Sequence, residues 1–114
     1  MGYRSEVYIA MDSHAIASMH ALISLSSDNY LLELLNESCM HSCQGDEHEF
    51  TVYEWIDVKW YEGYHGIGAM TAFLASLPDM AYGYVRLGED YADVETVGDV
   101  CRFNLYVERR VSWA

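Results

Sequence analysis

Basic residues are scarce. Six Lys and Arg stand against eighteen Asp and Glu in 114 residues, a formal charge of -12. Binding driven by phosphate neutralisation needs a surplus of Lys and Arg, so this balance argues against direct nucleic-acid binding. It argues equally against docking on an anionic membrane. No apolar run approaches the ~20 residues that span a bilayer. The first residues lack the basic-then-apolar pattern of a secretory signal, and Glu6 stands where a myristoylation signal wants Ser or Thr. Internal repeats and low-complexity stretches are missing too. These absences predict a soluble, cytosolic protein. The three cysteines, Cys39, Cys43 and Cys101, are an odd count and fit reduced thiols in that compartment.

What is present suits one domain spanning residues 1–114. The chain is 52% hydrophobic and 21% charged, which excludes wholesale disorder. Its length is enough to bury a core without metal or disulfide support.

Residues 3–11 alternate, with Val7, Ile9 and Met11 on one side, as in a half-buried strand. Asp12-Ser13 supplies a helix cap, and Ile16, Met19, His20 and Ile23 follow at helical spacing, giving a helix over 13–25 with His20 on its apolar stripe. The dense leucines of 29–38 predict a short buried helix, and the polar run 39–49 a loop. Residues 50–60 are aromatic and β-branched and predict a strand with Phe50, Val52, Ile56 and Val58 inward. Glu54 falls in that inward phase, which marks a bulge or a strand end. Gly63, Gly66 and Gly68 surround a turn; Ile67, Met70, Leu74 and Leu77 keep helical spacing up to Pro78, which ends the helix. A strand over 81–87, an acidic loop over 88–100 and a strand over 101–113 complete the chain. In that last strand Cys101, Phe103, Leu105 and Val107 point inward. The sum is an α+β fold: a two-layer sandwich, one mostly antiparallel sheet of about four strands with two or three helices on one face. A ferredoxin-like arrangement is the nearest familiar shape.

Charge is unevenly distributed. Arg4, Lys59, Arg86, Arg102, Arg109 and Arg110 all lie in or beside predicted strands, whereas Met11–Val58 holds nine acids and no base. The helix-and-loop side is therefore expected to be anionic. It is either a solvated surface or a face for a basic partner, with Asp46, Glu47, Glu49, Glu89, Asp90, Asp93 and Glu95 as contact residues. The strand phases also place Tyr8, Tyr53, Trp55, Tyr82, Tyr84 and Tyr106 together on the outward sheet face. Such a face is either ordinary cross-strand packing or a protein-binding surface, including one that pairs two copies as a homodimer.

Signals for catalysis are weak. Gly-x-Ser-x-Gly and Walker patterns are absent, and no catalytic residue is assigned. Cys39, His41, Cys43 and His48 offer thiolates and imidazoles within ten residues, a candidate zinc set whose spacing matches no familiar finger; otherwise no cofactor is expected. Glu89-Asp90-Tyr91-Ala92-Asp93-Val94-Glu95 alternates oxygen ligands but lacks the EF-hand order.

Tyr3-Arg4-Ser5-Glu6-Val7, Lys59-Trp60-Tyr61 and Tyr84-Val85-Arg86-Leu87-Gly88-Glu89-Asp90 together resemble segments of a group of small proteins encoded by tailed phages and prophages. The resemblance covers about a fifth of the chain and brings no catalytic residues. It implies a context in the host cytosol. Small acidic phage proteins often block a host enzyme or defence complex without chemistry of their own, as anti-CRISPR and anti-restriction proteins do. The expectation is thus a non-enzymatic inhibitor of a host nucleic-acid-handling defence protein, engaged through the acidic surface. A zinc-binding module and a self-pairing structural protein are the alternatives.

Overall fold

The structure, a computed structural model, describes residues 2–45 and 48–107. The elements are β1 (Ser5–Asp12), α1 (Ser13–Leu25), α2 (Tyr30–Asn36), β2 (Cys39–Gln44), β3 (Glu49–Val58), α3 (His65–Ala75), β4 (Tyr82–Gly88) and β5 (Val94–Gly98), with 3-10 turns at Asp79–Ala81 and Val100–Phe103. The strands form one antiparallel sheet in the order β2-β3-β1-β4-β5. The α+β class holds, with five strands instead of about four. The first four are ordered as two interlocked split β-α-β units, the ferredoxin-like arrangement, and β5 extends the sheet beyond β4.

Local chemistry explains the helices. Asp12 caps α1, its Oδ1 accepting from the Ala15 N–H at 2.9 Å. Leu31, Leu34 and Leu35 of α2 are buried, and the Trp55 indole N–H donates to the Leu34 carbonyl at 3.0 Å, tying α2 to the sheet. Gly66 lies inside α3 and not in the turn before it. A Cβ there would meet the Tyr30 carbonyl oxygen at 2.9 Å, so glycine permits the close approach of α3 to α2. The main core joins Val7, Ile9, Met11, Tyr53, Trp55 and Tyr82 of the sheet to Met19, Leu34, Ile67, Met70 and Phe73 of the helices.

Both sheet faces are covered in part, and this corrects several expectations. Residues 39–49 are not a loop: 39–44 form edge strand β2. The acidic loop 88–100 contains edge strand β5. The strand expected from Cys101 does not form over the described residues. Val100–Phe103 is a 3-10 turn, ended by Asn104 in the left-handed conformation at φ 56°, and the remainder up to 107 is irregular. Phe103 packs on the sheet face away from the helices, against Ala10 and Phe50, while Cys101 is exposed rather than buried. The latter half of that expected strand lies outside the described residues. His20 is exposed on α1, not at the core boundary.

The phase of β3 is also reversed. Pairing Ile9 with Tyr53 and Val7 with Trp55 puts Tyr53 and Trp55 under the helices and Phe50 and Val52 on the other face. Apolar residues alternate on both sides because both sides are covered. A register shift opposite Ser5–Val7, with Asp57 at φ 56°, is a bulge, and it leaves Ile56 exposed.

Candidate functional site

Three separate segments converge on one cleft. Tyr3 and Ser5 enter from the start of β1, Trp60, Tyr61 and Glu62 from the β3–α3 connection, and Tyr82, Tyr84 and Arg86 from β4. Asp93, Glu95 and Val97 close it from β5 and its approach, and Leu74 from α3; the cavity measures about 530 Å³. Directly opposed residues in an antiparallel pair share a face. Arg86 opposes Val7 and Glu95, and Tyr84 opposes Ile9 and Val97. All therefore project to the helix side, where β4 and β5 extend past α3.

A dense set of bonds fixes the cleft. The Arg86 guanidinium donates to both Asp93 carboxylate oxygens, at 2.8 and 3.1 Å, to Glu95 Oε1 at 3.2 Å and to Ser5 Oγ at 3.3 Å. These bonds to Asp93 and Glu95 hold its pKa above the ordinary arginine value, against the opposing pull of burial. The Tyr3 hydroxyl donates to Asp93 at 2.7 Å and accepts from the Asp90 N–H at 3.0 Å. Tyr61 Oη accepts from the Tyr3 N–H and donates to the Tyr3 carbonyl. Gly88 sits so close that a Cβ would strike both Asp93 and Tyr3. The Tyr84 hydroxyl donates to Glu95 at 3.1 Å. Burial first, and the Glu95 charge second, push its pKa above that of a free tyrosine, so it stays a neutral donor.

Three carboxylates, Glu62, Asp93 and Glu95, line the cleft against the single guanidinium of Arg86, a net of two negative charges. Trp60 and the tyrosines supply aromatic faces. No family, curated protein or solved structure matches this chain. The chemistry of the cleft must therefore be read from its own residues. Most of the Arg86 donors are committed internally, so the cleft suits a cation with an apolar stem better than an anion.

The sequence-derived contact residues do not form one surface. Asp46 and Glu47 lie outside the described residues. Glu49 begins β3, beside the C-terminal end of β1, whereas Glu89, Asp90 and Asp93 lie between β4 and β5, beside its N-terminal end. Eight residues of β1 separate the two groups, roughly 23 Å at about 3.3 Å per residue, and β2 and β5 are opposite edges of the sheet. The acids thus occupy two distant corners, because hairpins closing at opposite ends of antiparallel strands carry them there. Nor are the bases segregated: Arg86 pairs with Asp93 and Glu95, and Arg102 pairs with Asp12 at 3.3 Å. The oxygens of Asp93 and Glu95 that suggested a calcium ligand run already hold a guanidinium.

The aromatic set is divided as well. Tyr53, Trp55, Tyr82 and Tyr84 face the helices, Tyr8 the other side, and Tyr106 is exposed beyond the strands. In the candidate zinc set, Cys39 and His41 are neighbours, but Cys43 lies across from Phe50 with its thiol on the His41 carbonyl. His48 packs against Phe50 and Phe103, its buried Nε2 without a partner among the described residues. Sequence reasoning missed Tyr3, Trp60, Tyr61, Glu62 and Arg86 as site residues, because they come from separate stretches of the chain that meet only in the folded structure.

Alkaline titration should report this packing. Burial, with Glu6 accepting the phenolic hydrogen bond, pushes Tyr8 up to about 12. A free tyrosine titrates near 10. The unfolded chain therefore loses this proton first. The contribution to stability is complete below about pH 10 and is lost as pH rises toward 12. Urea melts across that range should show stability falling, and less steeply in Tyr8→Phe. An equally steep fall in the variant would remove Tyr8 as a cause.

Proposed function

We propose that this protein acts by binding rather than by catalysis, and that its partner is a protein presenting Arg or Lys side chains, one of which enters the cleft between α3, β4 and β5. The observation that carries this reading is the cleft itself, with its aromatic walls, the exposed carboxylate of Glu62, and the net negative charge that Asp93 and Glu95 leave around the one guanidinium they hold. An Arg or Lys stem covers aromatic surface while its head meets carboxylate, and cation–π contact adds to the attraction. The overall charge of -12 speeds encounter with a basic surface and disfavours wrong partners. A basic surface of this kind is typical of proteins that neutralise phosphates. The resemblance to phage proteins points the same way: the partner is a host nucleic-acid-handling defence protein, blocked by occupation of its basic groove. The acids that matter are those of the β4–β5 corner together with Glu62, not a continuous shield.

A short arginine-rich peptide tests the reading. NMR titration should move the signals of Trp60, Tyr84 and their neighbours, with affinity falling as salt rises. Glu62 is exposed and, among the described residues, no side-chain hydrogen bond or ion pair holds it, so Glu62→Lys leaves the fold intact. That reversal should weaken peptide binding about tenfold. Salt-independent binding, or full binding by Glu62→Lys, would refute the assignment.

A further inference from the structure

The sheet face turned away from the helices carries a second constellation. Cys39 and His41 alternate on β2 and so share that face. Glu54 of β3 lies directly opposite Cys39. One ligand atom from each of the three lies within 4.8 Å of the other two, and His41 Nε2 is 3.7 Å from Glu54 Oε1. Strand alternation and cross-strand register create this triangle, so it exists before any ion arrives.

We propose that Cys39, His41 and Glu54 bind a zinc ion, with water in the fourth position. Thiolate, imidazole and carboxylate are the three side-chain ligand types zinc takes, at about 2.0–2.3 Å. A tetrahedron of such bonds sets the ligand atoms roughly 3.3–3.6 Å apart. Cys39 and His41 are exposed, so rotation of their side chains closes the gap without disturbing the sheet. Among the described residues no Lys or Arg forms an ion pair with Glu54; Arg86 and Arg102 hold other acids. A divalent cation offsets the repulsion that a thiolate beside a carboxylate otherwise suffers. The ion fastens edge strand β2, which is exposed over nearly its whole length, to β3. This site is on the opposite side of the sheet from the cleft, so it stands or falls independently of peptide binding.

Protein purified without an affinity tag and under reducing conditions is titrated with Co²⁺, then with Zn²⁺. Cobalt should give a sulfur-to-metal charge-transfer band at one equivalent, displaced by zinc, and zinc should raise Tm. Cys39→Ser should abolish the band, and His41→Gln and Glu54→Gln should each weaken binding about tenfold or more. Cys43→Ser and His48→Gln should leave it unchanged. Circular dichroism confirms that each variant is folded; Cys39 and His41 are exposed, and Cys43, His48 and Glu54 are only partly buried. A missing band in the folded wild type overturns the proposal. So does loss of the band in Cys43→Ser, or full affinity in Glu54→Gln.

Discussion

Replacing Arg86 with alanine should destabilise the fold by about 3 kcal/mol, the lower end of the range for breaking a buried ion pair. The Arg86 side chain is 18% exposed and bridges Asp93 and Glu95, which are 33% and 51% exposed. Water screens Glu95 in part, which keeps the effect from the upper end. The loss has a distinct origin. Without the guanidinium, Asp93 and Glu95 face each other across a half-buried cleft, and Ser5 loses its donor. Tm should fall by roughly 12 °C, at about 4 °C per kcal/mol for a chain of this size. Arg86→Lys should recover only part of this, because an ammonium cannot reproduce the two parallel bonds to Asp93. Urea denaturation of both variants measures the difference, and wild-type stability in Arg86→Ala would show that the network adds nothing net to the fold.

The second large effect is expected at Phe103. Phe103→Ala should cost about 3–5 kcal/mol, the usual range for a buried phenylalanine. The ring is 1% exposed and meets Phe50 edge-on at 5.3 Å. It also lies over Gly83, where a Cβ would come within 3.3 Å of the ring and 3.1 Å of Val100. By contrast Cys101→Ala should change stability by no more than about 0.5 kcal/mol, since the thiol is exposed. The pair of measurements separates two conformations. In an extended strand, residues 101 and 103 share a face and both substitutions would be costly. In the 3-10 turn only Phe103 reaches the sheet. Comparable losses at both positions would restore the strand.

Legibility in the sequence followed burial. The elements that bury apolar side chains were readable: α1 starts at the Asp12 cap, α2 is marked by its leucines, and β1 and β4 fall within two residues of their expected bounds. Edge strands were not. Every residue of β5 is exposed and β2 is nearly so, so no hydrophobic alternation marks them; backbone pairing with β4 and β3 makes them strands. The reverse error occurred at 101–107, where alternation was strong but served a turn laid over the sheet. In β3 the period was legible but its phase was not. Tyr53 and Trp55 compete with Phe50 and Val52 for the helix side, and the Trp55 bond to Leu34 is a tertiary fact. The cleft was hidden for the same reason: its lining spans from Tyr3 to Val97, and only the order β1-β4-β5 makes neighbours of residues so far apart. Glu54 was noticed as out of place in its strand, but its match to Cys39 depends on the register of a strand that had not been recognised.

That recognition of β2 also decides the fate of its two thiols. In a loop, Cys39 and Cys43 would be free to curl together and oxidise to an internal ring. Held extended, with their positions four residues apart, their α-carbons stand roughly 13 Å from one another at about 3.3 Å per residue, far beyond the ~7 Å that a disulfide tolerates. Air oxidation at the exposed Cys39 must therefore look outside the hairpin for its second sulfur, to the exposed Cys101 or to another molecule.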